Sequence, residues 1–268
     1  MNVARPSCSV VDLSARPDLR AAADALVAAN LPVFLTWASP GNWRWHRVYE
    51  LYPQFQLAAL DANGALVAAV HSVPLAWDDD CALPLGYDDV LIKTTTAPVE
   101  LASAAAICLL SISVRKDARR TGLAEELIAT IKDRAFAERY WAVIAPLRPT
   151  RKSIYPWIDM ATYLTWKTDE GEVFDPWLRL HLAMGAQVLG IAERSLVIRQ
   201  PRTRWERITG HDMSAPALYV VEGALVPVEI DVAGYGTYAE PNIWIGYRAD
   251  GRKAPRISSP TGGLHALQ

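Results

Sequence analysis

Cysteine is scarce in this sequence, and the few cysteines are far apart. They are Cys8, Cys81 and Cys108, an odd number whose spacing matches neither a disulfide framework nor a zinc site. The five histidines also lack metal-ligand spacing. We therefore expect no metal, and we expect a reduced, cytoplasmic protein.

Long apolar runs and an excess of charge of one sign are also missing. No apolar run reaches the roughly 18 residues that a membrane helix needs, and no basic-then-apolar leader opens the sequence. The net charge is −2, without a polybasic tract. This balance argues against a dedicated nucleic-acid or membrane-surface protein. We expect neither a membrane nor a nucleic acid as partner.

Apolar and aromatic residues, in contrast, are plentiful. They make up 51% of the 268 residues, which is enough to bury a sizeable core. Nine of the ten tryptophans cluster at 37–45, 141–177 and 205–244. Such clusters pack cores, and they also line ligand pockets. Trp43 and Trp45 are therefore candidate walls of a substrate pocket, with plain packing as the alternative.

Residues 107–131 form the most informative stretch. The apolar, β-branched run Ile107–Val114 predicts a buried strand, and apolar residues at helical spacing begin at Leu123. The loop between them is basic and contains Gly122. Glycine lets the backbone approach a ligand closely, and free N–H groups at a helix start attract anions. The loop therefore predicts a pyrophosphate site, although it matches neither the dinucleotide fingerprint nor the P-loop.

The pattern Arg119-x-x-Gly122-x-Ala124 resembles the phosphate-binding loop of the GNAT superfamily of acyl-CoA-dependent acyltransferases. The alternative is a solvated basic loop that opens an ordinary helix. The resemblance implies the GNAT fold, an α+β three-layer architecture in which a mixed, mostly antiparallel sheet has a central splayed parallel strand pair flanked by helices. It also implies acetyl-CoA or another acyl-CoA as co-substrate. The residues it assigns to coenzyme A binding are Ile112, Val114, Arg119, Arg120, Thr121, Gly122, Leu123 and Ala124.

A narrower resemblance covers residues 148–156, 174–186 and 238–244. These segments are similar to a GNAT subgroup that includes domains fused to carbon–nitrogen hydrolases and GNAT-like loading domains of polyketide synthases. Some of those relatives resemble decarboxylases of malonyl-type thioesters. The resemblance implies that Thr150 and His181 form a catalytic pair. A tryptophan, Trp43 or Trp45, and an arginine, Arg194 or Arg199, would assist them.

Acyl transfer to an amine makes other demands on the same residues. A general base must take the amine proton, and an acid must protonate the leaving thiolate. The ordinary pKa of histidine lies near neutrality, so His181 is a candidate base, and Tyr155 or Tyr163 is a candidate acid. As alternatives, His181 could be a helix-face histidine bonded to a backbone carbonyl, and Thr150 a simple turn residue.

The remaining pattern divides the chain into a loose lead-in over residues 1–16, a single domain over 17–247 and a flexible tail over 248–268. Asn63-Gly64 between apolar runs predicts a hairpin. The predicted helices cover 17–30, 123–139, 159–167 and 175–185. The predicted strands cover 54–60, 65–73, 107–114, 140–145, the pair 186–191 and 194–199, and 218–230; a turn or strand is expected at 205–210.

Three functions are compatible with these observations. The first is an acyltransferase that moves acetyl or another short acyl group from coenzyme A to an amine of a small molecule by direct attack. The alternative is a GNAT-like decarboxylase or S-acyl loader, acting on malonyl-type thioesters of coenzyme A or of an acyl carrier protein partner. The third is a non-enzymatic module that only binds acyl-CoA.

Overall fold

A mixed β-sheet runs through the computed structural model, which describes residues 8–77, 81–101 and 104–249. Its strand order within these residues is β1-β2-β3-β4-β5-β9-β8-β7, and β6 pairs with the other edge of β9. The strands are β1 (Ser9–Asp12), β2 (Gln56–Leu60), β3 (Leu66–Leu75), β4 (Ala106–Val114), β5 (Ala142–Leu147), β6 (Gln187–Pro201), β7 (Leu218–Tyr219), β8 (Val228–Ile230) and β9 (Tyr235–Arg248).

Helices cover both faces of this sheet. They are α1 (Arg20–Asn30), α2 (His46–Leu51), α3 (Tyr87–Thr96), α4 (Leu123–Ala137), α5 (Met160–Leu164), α6 (Pro176–Ala183) and α7 (Arg202–Thr209). Successive side chains of a strand point to opposite faces. Thus Ile107 and Leu109 of β4 belong to the core under α4, whereas Cys108 belongs to the core under α2 and α3.

The central feature of the sheet is the parallel pair β4 and β5, which separates along its length. Pairing covers only Ala106–Cys108 of β4 and Ala142–Ile144 of β5. On its other side β4 shifts register against β3, because His71 pairs with Ser111 and Ser72 pairs with Leu109, so that Leu110 bulges out. The mixed sheet with a splayed parallel pair between helices confirms the predicted fold class.

Several elements differ from the sequence prediction. Residues 186–199 do not form two strands that pair with each other. They lie in the single strand β6, whose register against β9 shifts between Ala192 and Leu196. Glu193 and Arg194 lie in a bulge there, and the strand continues through the gap expected between residues 191 and 194. The expected turn or strand at 205–210 lies largely in helix α7. Trp205 is the one buried residue of this helix, so its sequence has little of the apolar periodicity that indicates a helix.

The predicted strand over 218–230 was also too long. The chain forms the short strands β7 and β8, which pair antiparallel because the segment turns back at Gly223 (φ 81°). The lead-in over residues 1–16 is not loose throughout, since β1 pairs antiparallel with β2. At the other end, β9 continues to Arg248, and the tail expected over 248–268 lies outside the described residues from residue 250 onward.

No helix in the described part of the chain is both long enough and apolar enough to cross a membrane.

Candidate active site

A cavity of about 600 Å³ fills the space where β4 and β5 separate. Its walls are the β4 residues 109–114, the loop residues 118–120, the residues 122–125 at the start of α4, and the β5 residues 145–147. Helix α1 contributes Asn30 and its neighbours, and α6 contributes His181. The separation of the two parallel strands therefore creates the cleft, and the two flanking layers close it.

The basic loop forms one end of this first cavity. Arg120 (φ 63°) and Gly122 (φ 85°) are both left-handed, and α4 begins at Leu123. The first amides of an α-helix lack intrahelical acceptors, so those of α4 are available to an anion. The Arg119 guanidinium donates to Asn30 Oδ1 at 2.6 Å and to the Val114 carbonyl at 3.3 Å, which joins the loop to α1 and β4.

The residues that the resemblance assigned to coenzyme A line this cavity with one exception. The exception is Thr121, whose hydroxyl donates to the Ala118 carbonyl at 2.8 Å. Thr121 therefore stabilises the loop from within. The others lie along one continuous wall from Ile112 to Ala124, as expected if the strand, the loop and the helix start bind one extended ligand.

His181 and Thr150 line the same first cavity. Helix α6 positions His181, and its start is well capped, because the Asp175 carboxylate accepts from the amides of Trp177 and Leu178. The His181 Nδ1 atom lies 2.6 Å from the Tyr247 hydroxyl, a side-chain partner rather than a backbone carbonyl. Burial lowers the pKa of His181 to about 4, so the imidazole is neutral at pH 7. Thr150 is exposed on the loop after β5.

Besides Thr121, three predicted site residues lie outside this cavity and outside a second cavity beside it. Tyr155 packs against Trp166 at 4.7 Å, within an aromatic cluster. Trp43 is 57% exposed, with the Arg44 guanidinium 4.3 Å from its ring centroid. Arg194 is exposed at the bulge of β6. Sequence spacing could not reveal these positions, because each depends on how a loop or a bulge is oriented.

A second cavity of about 290 Å³ adjoins the first on the side of α1 and of the segment that leads from α1 to α2. Six residues line both cavities. They are Leu110 and Ser111 of β4, Pro146 of β5 and Arg148 just after it, and Val27 of α1 and Leu31 just after it. The two cavities therefore meet at the β4 bulge. Trp45 lines the second cavity, and its role as a wall of a substrate pocket stays a prediction.

Carboxylates line the second cavity. Asp24 accepts a hydrogen bond from Trp45 Nε1 at 2.8 Å. Glu240 is 4% exposed and lies 2.9 Å from the Arg148 guanidinium, and it also accepts from the Tyr238 hydroxyl at 2.7 Å. The arginine in the pocket is therefore Arg148, not Arg194.

Sequence reasoning gave Asp24 and Glu240 no role. A usable signal for Asp24 was its position in an alanine-rich helix. Together with Val27 and Leu31 it shares the i, i+3, i+7 face that lines the cavity. Glu240 lies in the segment 238–244 that carried the narrower resemblance, but its neighbours across the sheet were not evident from the sequence.

A metal-ligand set is absent from residues 8–77, 81–101 and 104–249. These ranges hold no group of three or more His, Cys, Asp or Glu side chains that could bind a metal ion.

Comparison with known proteins agrees with this geometry. No protein-family model matches the chain. The arginine N-acetyltransferase avaD of Aspergillus versicolor is 29% identical over 272 residues, which cover 90% of this chain and 93% of that protein. Among solved structures, the loading GNATL domain of CurA from Lyngbya majuscula superimposes with a TM-score of 0.55 at 16% identity, covering 92% of this chain and 100% of that one.

The GphF GNAT-like decarboxylase, solved in complex with isobutyryl-CoA, gives a TM-score of 0.54 at 16% identity, and the match covers 91% of this chain and 99% of that one. At this identity the two structures establish the fold alone. The splayed strand pair, the Arg119–Ala124 loop at its mouth and the full-length likeness to avaD agree with one another. The chain has the GNAT fold.

Proposed function

We propose that this protein is an acyl-CoA-dependent N-acetyltransferase that transfers acetyl, or another short acyl group, directly to an amine of a small molecule. The observation that carries the proposal is the meeting of the two cavities at Leu110 and Ser111. A thioester in the first cavity and an amine in the second would face each other there. Direct attack needs this proximity and no covalent enzyme intermediate.

The first cavity provides a place for each part of coenzyme A. The pyrophosphate would lie against the free amides of the loop and of the first turn of α4, where Arg119 and Arg120 add positive charge. Pairing between β4 and β5 ends at Cys108, so the edge of β4 from Leu109 onward faces the cavity. Backbone groups on such an edge can bond the amides of the pantetheine arm as a strand would.

The second cavity favours a cationic acceptor. Arg148 pairs with Glu240 there, which leaves the Asp24 carboxylate to supply the net negative charge, and charge-assisted hydrogen bonds from ammonium or guanidinium groups to carboxylates are strong. The relative avaD is named for arginine. We therefore propose arginine, or another amino acid with a basic side chain, as the acceptor.

The chemistry requires one bond to form and one to break. The neutral amine attacks the thioester carbonyl, the C–S bond breaks, and the thiolate leaves with the electron pair and is protonated. His181 is neutral at pH 7 and lines the first cavity, so it can hydrogen-bond the thioester or the departing sulfur. Thr150, on the same cavity, offers a second hydroxyl donor.

The test is a panel of acceptors with acetyl-CoA. We expect acetylated arginine, detected by mass spectrometry, together with stoichiometric release of free thiol. Amino acids of similar size with neutral or acidic side chains should react at least tenfold more slowly, because their side chains lack a cation. If coenzyme A binds tightly and no amine in the panel is acetylated, the proposal is wrong and the acyl-CoA-binding module gains support.

A second function, decarboxylation of a malonyl-type thioester, rests on one specific observation: Thr150 and His181 share the thioester cavity. Loss of carbon dioxide leaves an enolate, which a hydroxyl and an imidazole can stabilise and protonate. An acyl carrier protein would then be the natural carrier of the thioester. Incubation with malonyl-CoA alone decides the matter, because conversion to acetyl-CoA that His181→Ala abolishes, with ligand binding intact, would establish this function. Survival of malonyl-CoA would exclude it.

A further inference from the structure

A chain of four side chains leads from the junction of the two cavities to helix α1. The Ser111 hydroxyl lies 2.9 Å from His71 Nδ1, and His71 Nε2 lies 2.8 Å from the Tyr49 hydroxyl. The Tyr49 hydroxyl lies 2.6 Å from Asp24 Oδ1. Ser111 and His71 face each other across β4 and β3, where the two strands are paired in register.

The chemistry of the four groups gives these hydrogen bonds one direction. An ionised carboxylate only accepts, so Tyr49 must donate its single proton to Asp24. The Tyr49 oxygen then accepts from His71, which places the ring proton on Nε2. The Nδ1 atom is left as an acceptor, and Ser111 must donate to it. The lone pairs of the Ser111 oxygen therefore remain available to a ligand at the junction.

Only the two ends of this chain reach the cavities. His71 is fully buried and Tyr49 is 5% exposed, whereas Ser111 lines both cavities and Asp24 lines the second. The Trp45 ring covers His71 at 4.8 Å between ring centroids. The charged groups facing this chain are Asp24 itself and Arg20, whose guanidinium lies 5.7 Å from the centre of the Tyr49 ring. Burial keeps His71 neutral at rest and lowers its pKa to about 4.

We propose that Ser111, His71, Tyr49 and Asp24 form a proton relay that removes the proton of the acceptor amine during acyl transfer. This inference rests on the proposed acetyltransferase function. Ser111 is its catalytic residue, because its oxygen alone touches the amine. His71, Tyr49 and Asp24 are positioning residues that act through it.

The proton balance is complete. Before the new bond forms, one proton of the acceptor ammonium moves to the Ser111 oxygen and the Ser111 proton moves to His71 Nδ1, which leaves a neutral amine. The Nε2 proton of His71 passes to the Tyr49 oxygen, and the Tyr49 proton passes to Asp24. Asp24 becomes a carboxylic acid at the second cavity and loses its proton to water there. The neutral nitrogen then bonds to the acyl carbon as the C–S bond breaks, and the proton that the nitrogen still has to lose passes to the departing thiolate.

The test uses Ser111→Ala and Tyr49→Phe, each with a matched control on the same protein. Tyr52→Phe removes a buried hydroxyl that donates to the Thr94 carbonyl and accepts from the Val99 amide, outside both cavities. Ser72→Ala removes a buried hydroxyl that donates to the Phe55 carbonyl. Steady-state kinetics with acetyl-CoA and the best acceptor are measured between pH 6.5 and 10.

We expect Ser111→Ala to lower kcat at pH 7 about 100-fold, in the range of a general base, and Tyr49→Phe to lower it about tenfold. In both variants the loss shrinks as the pH approaches the pKa of the acceptor amine, since a neutral amine needs no base. The KM for acetyl-CoA stays within about twofold of wild type, and the controls keep the wild-type profile.

Equal kcat of Ser111→Ala and wild type across this pH range would overturn the relay, and so would a loss that does not change with pH. If Tyr49→Phe does not fold, Ser111→Ala decides alone, because its side chain lines an open cavity. Failure of the wild-type protein to acetylate any amine is a different result, since it refutes the proposed function before the relay is tested.

Discussion

Burial dominates the chemistry of two histidines in this protein. The imidazoles of His71 and His181 are buried, and loss of water around the ring lowers the pKa of each to about 4. For His71 the nearby Asp24 carboxylate counteracts burial only in part. Both rings are therefore neutral hydrogen-bonding groups at pH 7.

These two pKa values predict loss of stability in acid. A histidine with a pKa near 4 when folded and near 6.5 when unfolded binds more protons in the unfolded state, so stability rises with pH between these values. It is lost as the pH falls from about 6.5 to 4. We expect His181 to account for roughly 2 kcal/mol of the loss at pH 5.

Urea unfolding of wild type and His181→Gln at pH 7 and pH 5 tests this. The free energy of unfolding should fall less in the variant, because glutamine does not titrate in this range. His211→Gln, at an exposed turn, is the control and should follow wild type. A parallel fall in all three proteins would show that carboxylates alone cause the acid loss.

The loop from Arg119 to Ala124 shows how one short element supplies one end of the first cavity. Its geometry requires a left-handed residue immediately before α4, and glycine provides this without strain. The same backbone turn directs the helix start at the cavity. Arg119, held by Asn30, keeps α1 beside the loop.

Gly122→Asp should abolish most coenzyme A binding. The substitution adds a negative charge where the pyrophosphate would bind and a side chain at φ 85°, and we expect affinity to fall at least 100-fold by isothermal titration calorimetry. Gly171→Asp has a similar φ of 80°, lies outside both cavities and has open space around it. This control bears comparable backbone strain and should bind as wild type does. Equal losses in both variants would mean that strain, not the site, weakens binding.

Arg148 connects distant parts of the fold around the second cavity. It follows β5, pairs with Glu240 on β9 at 2.9 Å and donates to the Gly223 carbonyl in the turn between β7 and β8. Removing one member of a buried ion pair leaves the other charge uncompensated. Arg148 therefore stabilises the arrangement of strands that shapes the second cavity.

We expect Arg148→Met to reduce the free energy of unfolding by about 3 kcal/mol, because Glu240 stays buried without its counter-charge. Arg199→Met breaks the exposed pair with Asp231 and should cost less than about 1 kcal/mol. Chemical denaturation at pH 7 measures both values. A small cost at Arg148 would show that Tyr238 and Asn242 alone satisfy Glu240.

Local sequence patterns predicted much of this architecture. The alternation and length of 107–114, the Asn63-Gly64 turn and the capped helix at 176–183 all depend on neighbouring residues, so the sequence contains them directly. The Arg119–Ala124 loop belongs to the same class. The residues that the resemblance assigned to coenzyme A, except Thr121, line the first cavity together with His181 and Thr150, and their roles there stay predictions.

Tertiary structure, in contrast, decided which side chains surround the second cavity. Asp24, His71, Ser111, Arg148 and Glu240 come from five separate segments, and no local pattern links them. They meet because the bulge at Leu110 and the early end of β4–β5 pairing open the sheet at one point, and because α1 and β9 pack on either side of that opening. Chain neighbours determine a strand or a loop, but the meeting of distant side chains depends on packing across the whole sheet.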